Sequence, residues 1–182
     1  MASSSPPGPT AGGLPADLPQ VPVRDATAPA GPREPAPVRL VVASLDIDME
    51  VVPVGVADDG TMAIPPDAYE AGWYRFGPGP GSPGHTVLAA HVDSRRSGVG
   101  PFARLRDVDE GARVVVTSAE GATHRYRVTS VRKVPKNEAP VASWFARAGH
   151  ERLVLVTCGG AWQADIGHYA DNVVVTADPT GG

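Results

Sequence analysis

Cysteine is nearly absent from this chain: Cys158 is the only one in 182 residues. A single thiol excludes an intramolecular disulfide framework. One cysteine among scattered histidines also fails to supply the four closely spaced ligands of a structural zinc site. Runs of lysine or arginine are missing and the formal net charge is -4, so nucleic-acid binding and electrostatic docking on a membrane are poorly supported. No stretch approaches the roughly 18 to 20 apolar residues needed to span a bilayer, and no secretory pattern is recognisable. Asp46, Asp48 and Glu50 alternate along an expected strand and turn, as solvated surface groups do, rather than forming a calcium cluster. No metal and no cofactor are expected.

Proline is present but unevenly placed. Nine of the 20 prolines lie between Pro6 and Pro35, and residues 1–36 are too rich in Pro, Gly, Ala and Ser to bury a core. They read either as an extended stalk, since proline-rich chains favour polyproline II, or as a disordered tail with no spacer role. About 145 residues remain, enough for one substantial core, and a single domain over 37–179 is expected. Short, Val-rich runs bounded by Gly, Pro or Asp recur along it: Val38 to Leu45, Glu50 to Val56, Thr86 to His91, Arg113 to Thr117, His124 to Val134, Leu153 to Thr157 and Asn172 to Thr176. That spacing predicts a mainly all-β domain, a barrel or a sandwich, with a hairpin turn at Ser118 to Gly121. Helices are expected only at Pro66 to Ala71, Phe102 to Leu105 and Val141 to Ala148.

Two of the runs end in groups that can do chemistry. Cys158 closes Leu-Val-Leu-Val-Thr-Cys before Gly159 and Gly160, and His91 closes Thr-Val-Leu-Ala-Ala-His. A buried cysteine is often just a small hydrophobe, but glycines directly after it allow backbone to approach a ligand closely. Of the five histidines, His91 alone follows an unbroken run of apolar or small residues; His85, His124, His150 and His168 sit in turn-like or alternating polar contexts. A thiol and an imidazole ending two strands form a candidate nucleophile and base.

These residues resemble a known family. Leu155-Val-Thr-Cys-Gly-Gly160, Ala90-His-Val-Asp-Ser94 and Tyr169-Ala-Asp-Asn-Val-Val-Val175, with Pro78-Gly-Pro-Gly81, Gly100-Pro-Phe-Ala-Arg-Leu105 and Gly72-Trp-Tyr74, are similar in order and spacing to sortases, most closely the class F sortases of actinobacteria. The resemblance runs from about Arg39 to Ala177 and implies an eight-stranded sortase-type β-barrel with a few short helices in loops. It also implies an extracellular cysteine transpeptidase, in which Cys158 cleaves an LPXTG-like sorting signal through a thioester and His91 handles the proton. The implied partners are the sorting-signal peptide of secreted surface proteins and an amine of a cell-wall peptidoglycan precursor. The implied location is the outer face of the bacterial cytoplasmic membrane, held by an amino-terminal transmembrane segment expected to have been removed ahead of Met1.

The connection between the long central strand and the cysteine strand, Lys133 to Glu151, is expected to overhang the site. It offers Val134, Val141, Trp144 and Phe145, with Thr157, as a substrate groove; an amphipathic cap on the barrel is the other reading. One family feature is missing. Sortases place an oxyanion-stabilising arginine on the strand after the cysteine, yet no Lys or Arg occurs from Gly159 to Gly182. Ala170 stands where that arginine is expected, with Asn172 the second choice. An engineered change, a naturally weak homologue, or a donor from elsewhere such as Arg95 or Arg96 all remain open. A peptide-binding module without turnover is therefore the alternative function. An L,D-type transpeptidase fits poorly, because Cys158 is followed by glycine rather than arginine and lies 67 residues from His91.

Overall fold

The computed structural model describes residues 35–163 and 168–181, and the expected stalk lies outside them up to residue 34. Ten strands follow in chain order: β1 (Pro37–Val42), β2 (Ile47–Val54), β3 (Glu70–Tyr74), β4 (His85–Ala89), β5 (Asp93–Ser94), β6 (Gly98–Val99), β7 (Arg113–Ser118), β8 (Thr123–Pro135), β9 (Arg152–Gln163) and β10 (His168–Pro179). Eight close a barrel in the order β1-β2-β3-β4-β9-β10-β8-β7, while β5 and β6 pair separately. Closure gives each of the eight barrel strands a neighbour on both sides. Neighbours run antiparallel except β2 with β3 and β4 with β9. This is the mainly β, eight-stranded barrel that the sequence motifs imply.

Period-two alternation sends one side of each strand inward. Leu40 and Val42, Val114 and Val116, Tyr126 and Val128, Leu153 and Leu155, and Val173, Val175 and Ala177 meet in one buried cluster. A 3-10 helix, Pro101–Asp107, adds Phe102 and Leu105, both fully buried. A second apolar cluster holds the alternate residues of the same strands. Val87, Val154 and Val174 are buried there beneath Met62, Tyr74, Val134, Trp144, Phe145 and Val156. Strands β4, β9 and β10 are thus covered on both faces, which is why their sequences read as continuous apolar runs rather than alternating ones.

Three expectations need correction. The segment expected to be a helix at Pro66 to Ala71 is instead a turn leading into β3, which pairs parallel to β2 and antiparallel to β4. A strand of five residues with glycine at its centre carries little β propensity of its own. Tertiary packing decides it: a Cβ on Gly72 would lie 2.9 Å from Pro65 and 3.0 Å from Val54. The helix expected at Val141 to Ala148 is one turn only, α1 (Val141–Trp144), which begins after Pro140. The cysteine strand does not stop at Cys158 but runs on to Gln163.

Candidate active site

Strands β4 and β9 lie side by side in parallel, with Thr86 opposite Leu153 and Ala89 opposite Val156. Two residues further along β9 comes Cys158, and two residues past the end of β4, outside the strand, comes His91. The intervening residues fasten the pair. The Ala90 amide donates to the Val156 carbonyl at 3.2 Å, and the buried Thr157 hydroxyl donates to the Ala90 carbonyl at 2.8 Å. Thr157 is only 3% exposed, so its hydroxyl braces the strand ends rather than facing a substrate. His91 is partly buried. Burial lowers its pKa below the usual histidine value, opposed by the nearby charge of Asp93. The imidazole is therefore mostly neutral near pH 7 and able to take a proton from the thiol.

On its other side β9 pairs antiparallel with β10, and Asn172 lies directly opposite Cys158. Directly opposed residues point to the same face, so Asn172 shares the outer face with Cys158. Beyond this pair the register shifts: Asp171 faces Gly159 and Tyr169 faces Trp162, leaving Gly160 and Ala161 together opposite Ala170. Gly160 has φ +80, so the arrangement is a bulge opened by a left-handed glycine. A Cβ on Gly160 would overlap the Asp171 carboxylate, which is instead free to meet Lys133 at 3.0 Å. Both positions expected for the cation are thereby placed. Asn172 is level with the thiol, and Ala170 is one step of the alternation further on, opposite the bulge.

Cys158 is partly exposed and lines a cavity of about 190 Å³ with Val92, Asp93, Phe102, Arg106, Gly159 and Tyr169, among others. The Tyr169 hydroxyl donates to Asp93 at 3.2 Å, joining β10 to the ribbon that follows His91. Burial, then the Asp93 charge and this hydrogen bond, then Cys158, raise the Tyr169 pKa. The phenol therefore stays protonated beside the thiol. Arg95 and Arg96, expected as alternative donors, are exposed and do not line this cavity. Arg106 does. Sequence reading missed it because it comes from a loop helix with no motif to mark an arginine as facing the cysteine.

The connection after β8 lies against the outer wall. The His85 amide donates to the Ala146 carbonyl at 2.7 Å, and the Arg152 amide to the Gly84 carbonyl at 3.0 Å. Val134, Trp144 and Phe145 pack on the second apolar cluster with Val156, two residues before Cys158. Phe145 meets Tyr74 edge-on, ring centroids 5.0 Å apart. Val134 and Trp144 also line a groove of about 750 Å³ running over β8, β9 and β10. Val141 stays largely exposed and belongs to neither. The connection therefore covers the starts of β4 and β9, beside the thiol rather than above it.

Residues 40–180 match the family model of the sortase domain. The chain belongs to the sortase family. Members are cysteine transpeptidases of the cell surface, and Cys158 is the one thiol of this chain. Solved sortases share the fold. Sortase C-1 from Actinomyces oris is 21% identical with a TM-score of 0.59, covering 79% of this chain and 73% of its own. Sortase A from Corynebacterium diphtheriae is 16% identical with a TM-score of 0.59, the match covering 82% of this chain and 62% of that one. Sortase C-1 from Streptococcus pneumoniae is 18% identical with a TM-score of 0.60, covering 79% and 66%. A search of curated proteins gives no match. Among the described residues no helix is long and apolar enough to cross a membrane.

Proposed function

We propose that this sortase is an extracellular transpeptidase, most like class F of actinobacteria, that cleaves an LPXTG-like sorting signal and joins the released carboxyl end to a cell-wall amine. The observation that supports this reading is the parallel pairing of β4 with β9, since Cys158 comes two residues after Val156 and His91 two residues after its partner Ala89. In the first half-reaction the Cys158 sulfur bonds to the carbonyl carbon of the signal's threonine while its proton passes to His91. The carbonyl electron pair moves onto oxygen. When that pair returns, the carbon–nitrogen bond breaks and the departing amine takes the proton from His91, leaving a thioester. An acceptor amine then attacks the thioester carbon and gives its proton to His91, and the Cys158 sulfur leaves, recovering that proton from His91 to restore the thiol. Water in place of the amine would make the reaction hydrolysis.

An unperturbed cysteine, with a pKa of about 8.5, is only a few per cent thiolate at neutral pH. A neutral imidazole alongside supplies the base that such a thiol needs. A second reading, a peptide-binding module with little turnover, is favoured by one observation: no Lys or Arg follows Cys158. Mass spectrometry of the intact chain with an LPXTG-type peptide separates the two. The transpeptidase reading expects a thioester adduct that Cys158→Ala lacks, and iodoacetamide labelling whose pH profile moves up in His91→Ala. A thiol that labels only after denaturation, or an unchanged profile in the histidine variant, would overturn it.

A further inference from the structure

The cavity that holds Cys158 contains a positive charge that the strand order of the family does not supply. Among the described residues lining it, Arg106 is the one with a cationic side chain. It stands on the 3-10 helix Pro101–Asp107, whose Phe102 and Leu105 are fully buried in the barrel. Those two anchors fix the helix, so the neighbouring arginine starts from a rigid base. Its ion pair with Asp107 is loose, 3.7 Å on a side chain 70% exposed, and an exposed pair of this kind holds a side chain weakly. Lys133, the other long cation nearby, is committed to Asp171 at 3.0 Å and does not line the Cys158 cavity. Arg106 also lines the neighbouring cavity with Lys133, Gly160 and Val173, so it sits across the opening between the helix and the bulged end of β9.

Attack of a thiolate on an acyl carbon creates a negative oxygen, and a donor aimed at that oxygen is the largest single contribution to such catalysis. Position 170 is alanine and position 172 asparagine, so β10 presents no Lys or Arg on the face of Cys158. We propose that Arg106, reaching in from the helix on the opposite side of the cavity, donates to the oxyanion formed at Cys158 and takes the place of the missing arginine. The sulfur–carbon bond forms, the carbonyl pair moves onto oxygen against the guanidinium, and its return expels the leaving group; Arg106 keeps its proton throughout. A planar guanidinium that is always charged suits this role, because it donates without itself titrating. The assignment rests on the acyl-transfer reading above.

The test uses the full chain and two small reagents that react at Cys158 with and without an oxyanion. p-Nitrophenyl acetate acylates a thiol through a tetrahedral oxyanion and needs no sorting motif, whereas iodoacetamide alkylates by displacement and forms none. Arg106→Ala is expected to slow acylation by at least roughly tenfold, a conservative share of the usual loss of one such donor, and to leave alkylation within about twofold. Arg106→Lys should recover part of the acylation rate, and Ala170→Arg in the Arg106→Ala background should recover more. Equal acylation by the unmodified chain and Arg106→Ala overturns the assignment while leaving the acyl-transfer reading intact. Equal loss of both reactions overturns it too, since that marks damage to the thiol site. A native chain that alkylates but cannot be acylated at all sinks the acyl-transfer reading itself.

Discussion

The two flanks of Cys158 are built differently. On the β4 side the contact is parallel and closed: the Ala90 amide and the buried Thr157 hydroxyl tie the strand ends together just before His91 and Cys158. On the β10 side the contact is antiparallel and open, with a two-against-one bulge at Gly160 and Ala161 facing Ala170. Nucleophile and base come from the closed flank, where position is held by buried hydrogen bonds. The open flank is where the family resemblance leads one to expect an oxyanion donor, and no Lys or Arg follows Cys158 in the sequence. On the proposed chemistry, positioning of the proton-transfer pair and stabilisation of the transition state fall on different flanks, and the two are expected to respond separately to substitution.

The largest change should come from filling the open flank. In the Arg106→Ala background, Ala170→Arg is expected to raise turnover of an LPXTG-type peptide by at least roughly tenfold, since one oxyanion donor is typically worth about 10²- to 10³-fold. Asn172→Arg tests the position directly opposite the thiol. A larger gain from Asn172→Arg would place the family's cation level with the sulfur rather than at the bulge. No gain from either in that background would mean that neither position of β10 reaches the oxyanion.

Next in size is the bulge itself. Gly160→Val puts a β-branched residue at φ +80, a conformation costing roughly 1–2 kcal/mol for L-residues, and its Cβ would meet the Asp171 carboxylate. The melting temperature should fall by several degrees, at about 2–4 °C per kcal/mol for a chain of this size. Gly159→Ala is the milder companion, because its Cβ would lie 2.7 Å from a Val173 methyl that can shift. If the open flank alone is affected, iodoacetamide labelling of Cys158 keeps its pH profile in Gly160→Val, whereas the benefit of Ala170→Arg is lost. A changed labelling profile would show that the two flanks are coupled.

The closed flank was the legible one. Thr86 to His91 and Leu153 to Thr157 are apolar because both faces of β4 and β9 are covered, and that composition is visible without coordinates. The reactive ends of the two runs stand out for the same reason. What was not legible depends on glycine and on loops. Gly159 and Gly160 suggest that a strand ends, but in the fold the positive φ at Gly160 lets β9 continue past the thiol. Strand β3 was hidden by Gly72, whose place is set by Pro65 and Val54 from other parts of the chain. Arg106 was hidden because a one-dimensional pattern cannot say which loop residue faces a cavity. Val141, expected in the groove wall, lies on the single-turn α1 and is largely exposed.

A smaller effect should follow from loosening the closed flank. Thr157→Val keeps the shape of the side chain but removes the donor to the buried Ala90 carbonyl. Leaving such an acceptor unpaired costs about 1–3 kcal/mol, so denaturant midpoints should drop while Thr157→Ser retains most of the stability. Acylation should fall with it, because the register of His91 beside Cys158 depends on that bond. Full stability in Thr157→Val would show that the amide of Ala90 is brace enough.

The smallest effect expected is a pH dependence of stability at His91. Burial lowers its folded pKa below the unfolded value, and Asp93 only partly opposes this. The unfolded chain then binds more protons as the pH falls, so stability rises with pH in that range. His91 contributes stability that is fully present above the unfolded value of about 6.5 and is lost as the pH falls through the folded one. Melting temperatures of the native chain should therefore decline between neutral and mildly acidic pH by more than those of His91→Ala. Asp93, Cys158 and Tyr169 are the other titratable groups facing this corner. Tyr169 has its pKa raised from an already high value and stays protonated throughout, so Tyr169→Phe should preserve the difference. A decline that is equal in the native chain and in His91→Ala would mean that the imidazole is as well solvated in the fold as in the unfolded chain, and the closed flank would then hold the base less firmly than its hydrogen bonds imply.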